Sequence, residues 1–184
     1  MKKVNVRAIC EGAIMVALAA VLSYIKIPIG LLGGSINLVM IPLVVFSVRW
    51  GLGWGLGASL VFGVIKGLLS GFRSLTWASM LLDYAIAYML VGLAGIFKGK
   101  KLGLIWGSLM GGIGRFVVHF VSGVTIYAIV GPETVRGVTT ASPALYSLIY
   151  NLEYMLPSII ITTIACALLT KPLEKFMPVP STKN

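Results

Sequence analysis

Arg115, His119, Tyr146, Asn151 and Glu153 sit inside two strongly apolar stretches of a 184-residue chain. The stretches read Arg115-Phe-Val-Val-His119-Phe-Val-Ser122-Gly123 and Tyr146-Ser-Leu-Ile-Tyr150-Asn151-Leu-Glu153-Tyr-Met-Leu-Pro157. A charged group at the centre of a bilayer costs about 3 kcal/mol or more unless it faces a bundle interior or a watery cavity. So many of them close together imply a binding cavity inside a membrane protein. Arg115 and His119 are four residues apart and share a helix face that Gly123 and Tyr127 continue, a polar wall with an aromatic rim. Tyr146 and Tyr150 pair in the same way, and Ser147, Asn151 and Tyr154 form the adjacent stripe. The Asn151 amide offers donors and an acceptor together, which suits the edge of a heterocycle. Tyr154 and Trp77 read instead as interfacial belt residues. Asp83 is the one acid in its apolar run. A buried carboxylate needs a partner: Arg115 or Lys66 within the protein, or a cationic or amino-bearing ligand.

The elements that must hold these groups are membrane helices. The chain is 58% hydrophobic and only 11% charged, with a mean hydropathy of +1.00, where soluble domains carry roughly 25% charged residues. The pattern predicts an all-α integral membrane protein, one membrane domain over 1–184. Its six spans run at about 8–25, 36–48, 52–71, 77–97, 102–130 and 143–170, the second of them shorter than the usual length of about 20 residues. Pro28 with Gly30, Gly33 and Gly34 opens the first connection as a loop, and Gly131-Pro132 opens another.

Orientation follows from the basic residues. One side would hold Lys2, Lys3, Arg7, Arg49, Lys98, Lys100, Lys101, Lys171, Lys175 and Lys183, the other only Lys26, Arg73 and Arg136. Cytoplasmic loops carry the excess of Lys and Arg, so both termini are expected in the cytoplasm. The formal net charge of +10 then reads as helix-end charge meeting anionic lipid rather than nucleic acid. At about 1.5 Å per residue, His119 lies roughly 25 Å along the fifth helix from its cytoplasmic start. Asp83, Tyr146 and Asn151 fall in the outer halves of inward-running helices, with Lys66 at the same depth. That is a pocket loaded from outside.

What is missing bounds the chemistry. The chain has no P-loop, HExxH or GxSxG pattern, so it is expected neither to hydrolyse ATP nor to act as an enzyme. Cys10 and Cys166 have no metal-ligand or redox spacing, and neither a metal nor a cofactor is expected. Small residues at a spacing of four mark close helix contacts: Ala13/Ala17, Gly53/Gly57 and Gly63/Gly67/Gly71. Those in the third helix suit internal packing, and the first pair could equally serve a partner.

Taken together, several stretches resemble one known family, the thiamine-specific substrate-binding (S) components of energy-coupling factor transporters. They are Gly34-Ser35-Ile36-Asn37 with Ile41-Pro42, Arg49-Trp50-Gly51, Leu81-Leu82-Asp83-Tyr84, His119-Phe-Val-Ser122-Gly123-Val124, Tyr146-Ser147-Leu148-Ile149-Tyr150-Asn151 and Tyr154-Met155-Leu156-Pro157. The resemblance implies a six-helix S-component fold in the bacterial plasma membrane, with thiamine held near the external side under a lid made by the loop after helix one. It implies that Asp83, Tyr84, Arg115, His119, Tyr127, Tyr146 and Asn151 line the ligand. Ala13 and Ala17 would match the AxxxA contact that docks on a transmembrane coupling subunit, and two cytosolic ATPases would drive uptake. Some members carry tryptophan where this chain has Gly34 and Tyr127, and glutamate where it has Asp83. The nearest alternative is an S component for another small heterocycle: a thiamine precursor, thiamine phosphate or riboflavin.

Overall fold

The computed structural model describes the backbone of residues 5–29, 34–71, 77–130, 134–135, 138–139 and 142–177, and the side chains of those among them outside 126–139. Among the described residues there are six helices, four of them long and apolar enough to cross a membrane. Helix α1 spans Val6–Leu22. Its start is capped by the Asn5 side chain, which accepts from the Ala8 amide at 3.2 Å, the usual work of asparagine at an N-cap. At its end the Ser23 hydroxyl donates to the Ala20 carbonyl.

Strand β1 (Lys26–Ile29) then pairs antiparallel with β2 (Gly34–Asn37), from Lys26 opposite Asn37 to Ile29 opposite Gly34. Residues 36 and 37 therefore belong to a hairpin rather than to the start of the second helix. The Asn37 side chain marks the change: its Oδ1 accepts from the Val39 amide at 3.4 Å, a local turn that competes with helix. Helix α2 (Met40–Trp50) is short and apolar on every side. It is the buried centre of the bundle, with Met40, Leu43, Val44 and Phe46 almost fully enclosed, as a helix without a polar face must be.

Gly51, at φ +94°, turns the chain sharply into α3 (Leu52–Leu69). Helix α4 runs Trp77–Phe97 and is irregular: a wide π segment at Leu81–Ile86 and a tight 3-10 segment at Leu90–Phe97. Its packing on α3 is backbone against backbone. A Cβ on Gly63 would collide with the Tyr84 carbonyl, and one on Gly95 with Leu52. Among the described residues the expected contact at Gly53 and Gly57 is not made, since neither has a neighbouring atom within 4 Å of a notional Cβ. Helices α5 (Gly103–Val130) and α6 (Pro143–Leu173) complete the bundle, joined through the two-residue strands β3 (Thr134–Val135) and β4 (Val138–Thr139). Outward-facing Val61, Val64, Ile113, Val117, Ile160 and Leu168 are exposed, an apolar girdle of the kind lipid requires.

The end of the bundle opposite the hairpin is closed by charge. Glu11 of α1 accepts from Arg7 Nε at 2.9 Å, Arg49 Nε at 2.7 Å, Arg49 Nη2 at 3.1 Å and the Trp50 indole at 2.7 Å. Arg49 also donates to the Phe176 carbonyl beyond α6, and Lys98 reaches the Trp50 carbonyl at 3.3 Å. One carboxylate thus ties α1 to α2, with the chain that follows α6 held through the same arginine.

Candidate functional site

At the hairpin end, the polar groups of α4, α5 and α6 meet. Asp83 lies in the π segment of α4, an irregularity that frequently marks functional sites in helices. Its Oδ1 is 3.0 Å from His119 Nδ1 on α5. Arg115, one turn earlier on α5, donates from Nε to His119 Nε2 at 3.4 Å and from Nη2 to the Tyr88 hydroxyl at 3.1 Å. Its guanidinium carbon also sits 4.3 Å from the Tyr88 ring centroid, a cation–π contact that suits a cation only 5% exposed.

These contacts decide the proton positions. Arginine has donors only, so His119 Nε2 must accept. The remaining ring proton is then on Nδ1, where it is donated to Asp83. The imidazole is neutral and oriented from both sides. Asp83 meets His119 through Oδ1, and its side chain is 24% exposed. The expected partners were Arg115 or Lys66; the histidine takes that place, and Arg115 is held by aromatic and imidazole groups instead.

Asn151 on α6 is 2% exposed. Its Nδ2 lies 2.9 Å from the Ser147 carbonyl, 3.1 Å from the Ser147 hydroxyl and 3.2 Å from the His119 carbonyl. Two of these acceptors are carbonyls that cannot donate, so the amide nitrogen has to face them. Oδ1 is left to accept from the Tyr154 hydroxyl at 2.7 Å. The Ser147 hydroxyl in turn donates to the Phe120 carbonyl at 2.7 Å. This close meeting of α5 and α6 depends on Gly123, where a Cβ would run into the Ser147 hydroxyl and come within 3.2 Å of Asn151 Nδ2.

The structure brings Asp83, Arg115, His119 and Asn151 into one connected network. Tyr84 is half-buried beside Asp83. Tyr146, 7% exposed, stacks on Tyr150 with centroids 6.4 Å apart, so it joins the cluster through the tyrosine row of α6. Tyr127 lies on α5, and its side chain falls outside the described residues. Ala13 and Ala17 are exposed on α1, outside the network.

Three residues had roles that sequence reasoning missed. Tyr88 supports Arg115; the signal was an arginine deep in a span, which demands a partner. Tyr154 is not a belt residue, being 8% exposed and bonded to Asn151; its spacing of three from Asn151 was the available sign. Glu11 anchors the opposite end, and its spacing of four from Arg7 was legible.

Comparison with known proteins identifies the family. The family model described as "Thiamine transporter protein (Thia_YuaJ)" matches residues 9–177. A "Thiamine transporter ThiT" of Bacillus subtilis is 30% identical, with 86% of this chain and 88% of that protein covered. A protein of the same name from Lacticaseibacillus paracasei is 29% identical, over 88% of this chain and 85% of its own. A solved structure of ThiT from Listeria monocytogenes superposes with a TM-score of 0.79 at 26% identity, covering 93% of this chain and 98% of that one. With a family match spanning nearly the whole chain and the same fold in a solved relative, this chain belongs to the thiamine transporter protein family, a family of transporters rather than enzymes.

Proposed function

We propose that this chain is the thiamine-binding S component of an energy-coupling factor importer in the bacterial plasma membrane, with both termini cytoplasmic. The observation that carries the reading is the network of Asp83, His119, Arg115 and Asn151, joined across three helices in the apolar part of the bundle. Thiamine brings a fixed thiazolium charge, an aminopyrimidine edge and a hydroxyl. Asp83, which meets an imidazole rather than a full cation, would answer a cation or an amino group. The tyrosines of α6 supply π faces, on which a thiazolium is attracted as other cations are. Arg115 suits the hydroxyl end. Tyr84, Tyr127 and Tyr146 complete the wall.

The chain supplies recognition and carries no ATPase motif, so uptake needs a motor. Ala13 and Ala17, small and exposed on α1, permit the close backbone approach that helix docking in a bilayer requires. The transmembrane coupling subunit would seat there, and two cytosolic ATPases would supply the work.

The test is a calorimetric titration of the detergent-purified protein, stripped of co-purified vitamin, with thiamine, thiamine phosphate and riboflavin in parallel. Tight one-to-one binding of thiamine, with the other two weaker, supports the reading. A folded sample that ignores thiamine and takes riboflavin would replace it with the other-heterocycle reading.

A further inference from the structure

Tyr154 stands at a junction that the ligand reading does not use. Its hydroxyl donates to Asn151 Oδ1 at 2.7 Å. Its ring is edge-on to His119, with centroids 6.1 Å apart, and to Tyr150 at 5.5 Å. On another side it meets the hairpin: a Cβ built on Gly34 would lie 2.6 Å from Tyr154 Cδ1, 3.0 Å from Cγ and 3.3 Å from Cβ. These are atoms at the root of a packed ring, which cannot swing away as the tip of a long side chain would.

Gly34 has an ordinary backbone conformation. The glycines with positive φ among the described residues are Gly51, Gly71 and Gly99. Alanine at position 34 therefore meets no backbone penalty, and the nearest atoms that would exclude a side chain there belong to Tyr154. The same hairpin strand begins at Gly34 and ends at Asn37, whose side chain starts α2. A ring that supports one end of this strand supports the closed position of the whole hairpin.

We infer that Tyr154 is the positioning residue of this site: its hydroxyl fixes the Asn151 amide, and its ring is the seat on which the Gly34 strand closes. The inference rests on the thiamine reading for its ligand, and on packing alone for the hairpin. The two functions separate chemically. Loss of the hydroxyl frees the Asn151 acceptor while the seat stays. A methyl at Gly34 lifts the strand off the seat while the Tyr154–Asn151 bond stays.

The separation can be measured on the full-length protein in detergent. Amide hydrogen exchange of Lys26, Ile27, Ile29 and residues 34–37, read without ligand, should quicken about tenfold or more in Gly34→Ala and stay at the parent rate in Tyr154→Phe. Thiamine titration should then show Tyr154→Phe weakening binding roughly three- to tenfold through the freed amide. Gly34→Ala should act chiefly by faster release of labelled thiamine in a chase experiment. In Tyr154→Leu, where the flat ring is gone, Gly34→Ala should lose most of its effect on exchange, a coupling that general loosening of the fold would not produce. Parent-like hairpin exchange in Gly34→Ala would overturn the seat, and parent-like thiamine binding by Tyr154→Phe would overturn the positioning of Asn151. If the parent binds no thiamine while Gly34→Ala still frees the hairpin, the ligand reading falls and the seat stands.

Discussion

Two carboxylates at opposite ends of the bundle have been given different work. Glu11 is saturated, its two oxygens accepting from two arginines and an indole. Arg49 binds it bidentately, the geometry in which a guanidinium is strongest. Asp83 meets an imidazole through Oδ1 at 3.0 Å. A carboxylate held between two full cations ties helices together. One that meets an imidazole keeps its charge to answer a partner that is not part of the fold. The two ends differ in the kind of partner: two arginines and an indole at Glu11, a histidine at Asp83.

The variant expected to affect ligand binding most is Asp83→Ala. It removes the carboxylate and leaves the His119 Nδ1–H without its acceptor, so thiamine affinity should fall about 100-fold or more by titration calorimetry, in line with the roughly 2–5 kcal/mol lost when one member of a buried charge pair is truncated. Asn151→Ala comes next. It strands the Tyr154 hydroxyl and the Ser147 and His119 contacts, which should lower stability in detergent by about 1–3 kcal/mol, the cost of unsatisfied buried groups, and weaken thiamine as well. Both would sharpen the comparison.

Glu11→Gln tests the other side of it. The clasp is partly exposed, with the Glu11 side chain at 27% and Arg49 at 16%, so the loss should be about 1–2 kcal/mol, above the range of surface pairs. Thiamine affinity should stay within about twofold. An affinity loss as steep as that of Asp83→Ala would break the comparison, because the two ends would then act as one unit. The smallest effect belongs to Arg7→Ala. Its side chain is 71% exposed and its bond to Glu11 spans one turn of α1, so thermal unfolding should register about 0.5 kcal/mol or less.

Much of the architecture was legible because hydrocarbon is a strict solvent: apolar runs have to become helices, since no other single segment satisfies its backbone there. The stripe of Arg115, His119 and Gly123 was legible for the same reason, as helical spacing fixes which side chains share a face. The limits are equally physical. Residues 36 and 37 are apolar and polar in a pattern either helix or strand accepts, and pairing with β1 decided for strand. The glycines of α3 recur at several spacings, and the approach of α2 and α4 chose Gly55 and Gly63 over Gly53 and Gly57. Tyr154 had the composition of a belt residue, and its burial depended on a hairpin and a neighbouring helix that periodicity cannot place.

By itself, then, the sequence determined that the chain enters a bilayer as helices, that α5 and α6 carry polar faces into its apolar zone, and which residue types those faces hold. These follow from local spacing and from the cost of polar groups in lipid. Two pairings were decided by tertiary structure alone: Asp83 with His119 rather than Arg115 or Lys66, and Arg115 on Tyr88. The proton of His119 belongs with them. An imidazole has two nitrogens of similar basicity, so the side chain has no intrinsic preference that could settle its tautomer. That is fixed only when the Asp83 carboxylate of another helix meets Nδ1 while Arg115, one turn away on the same helix, meets Nε2.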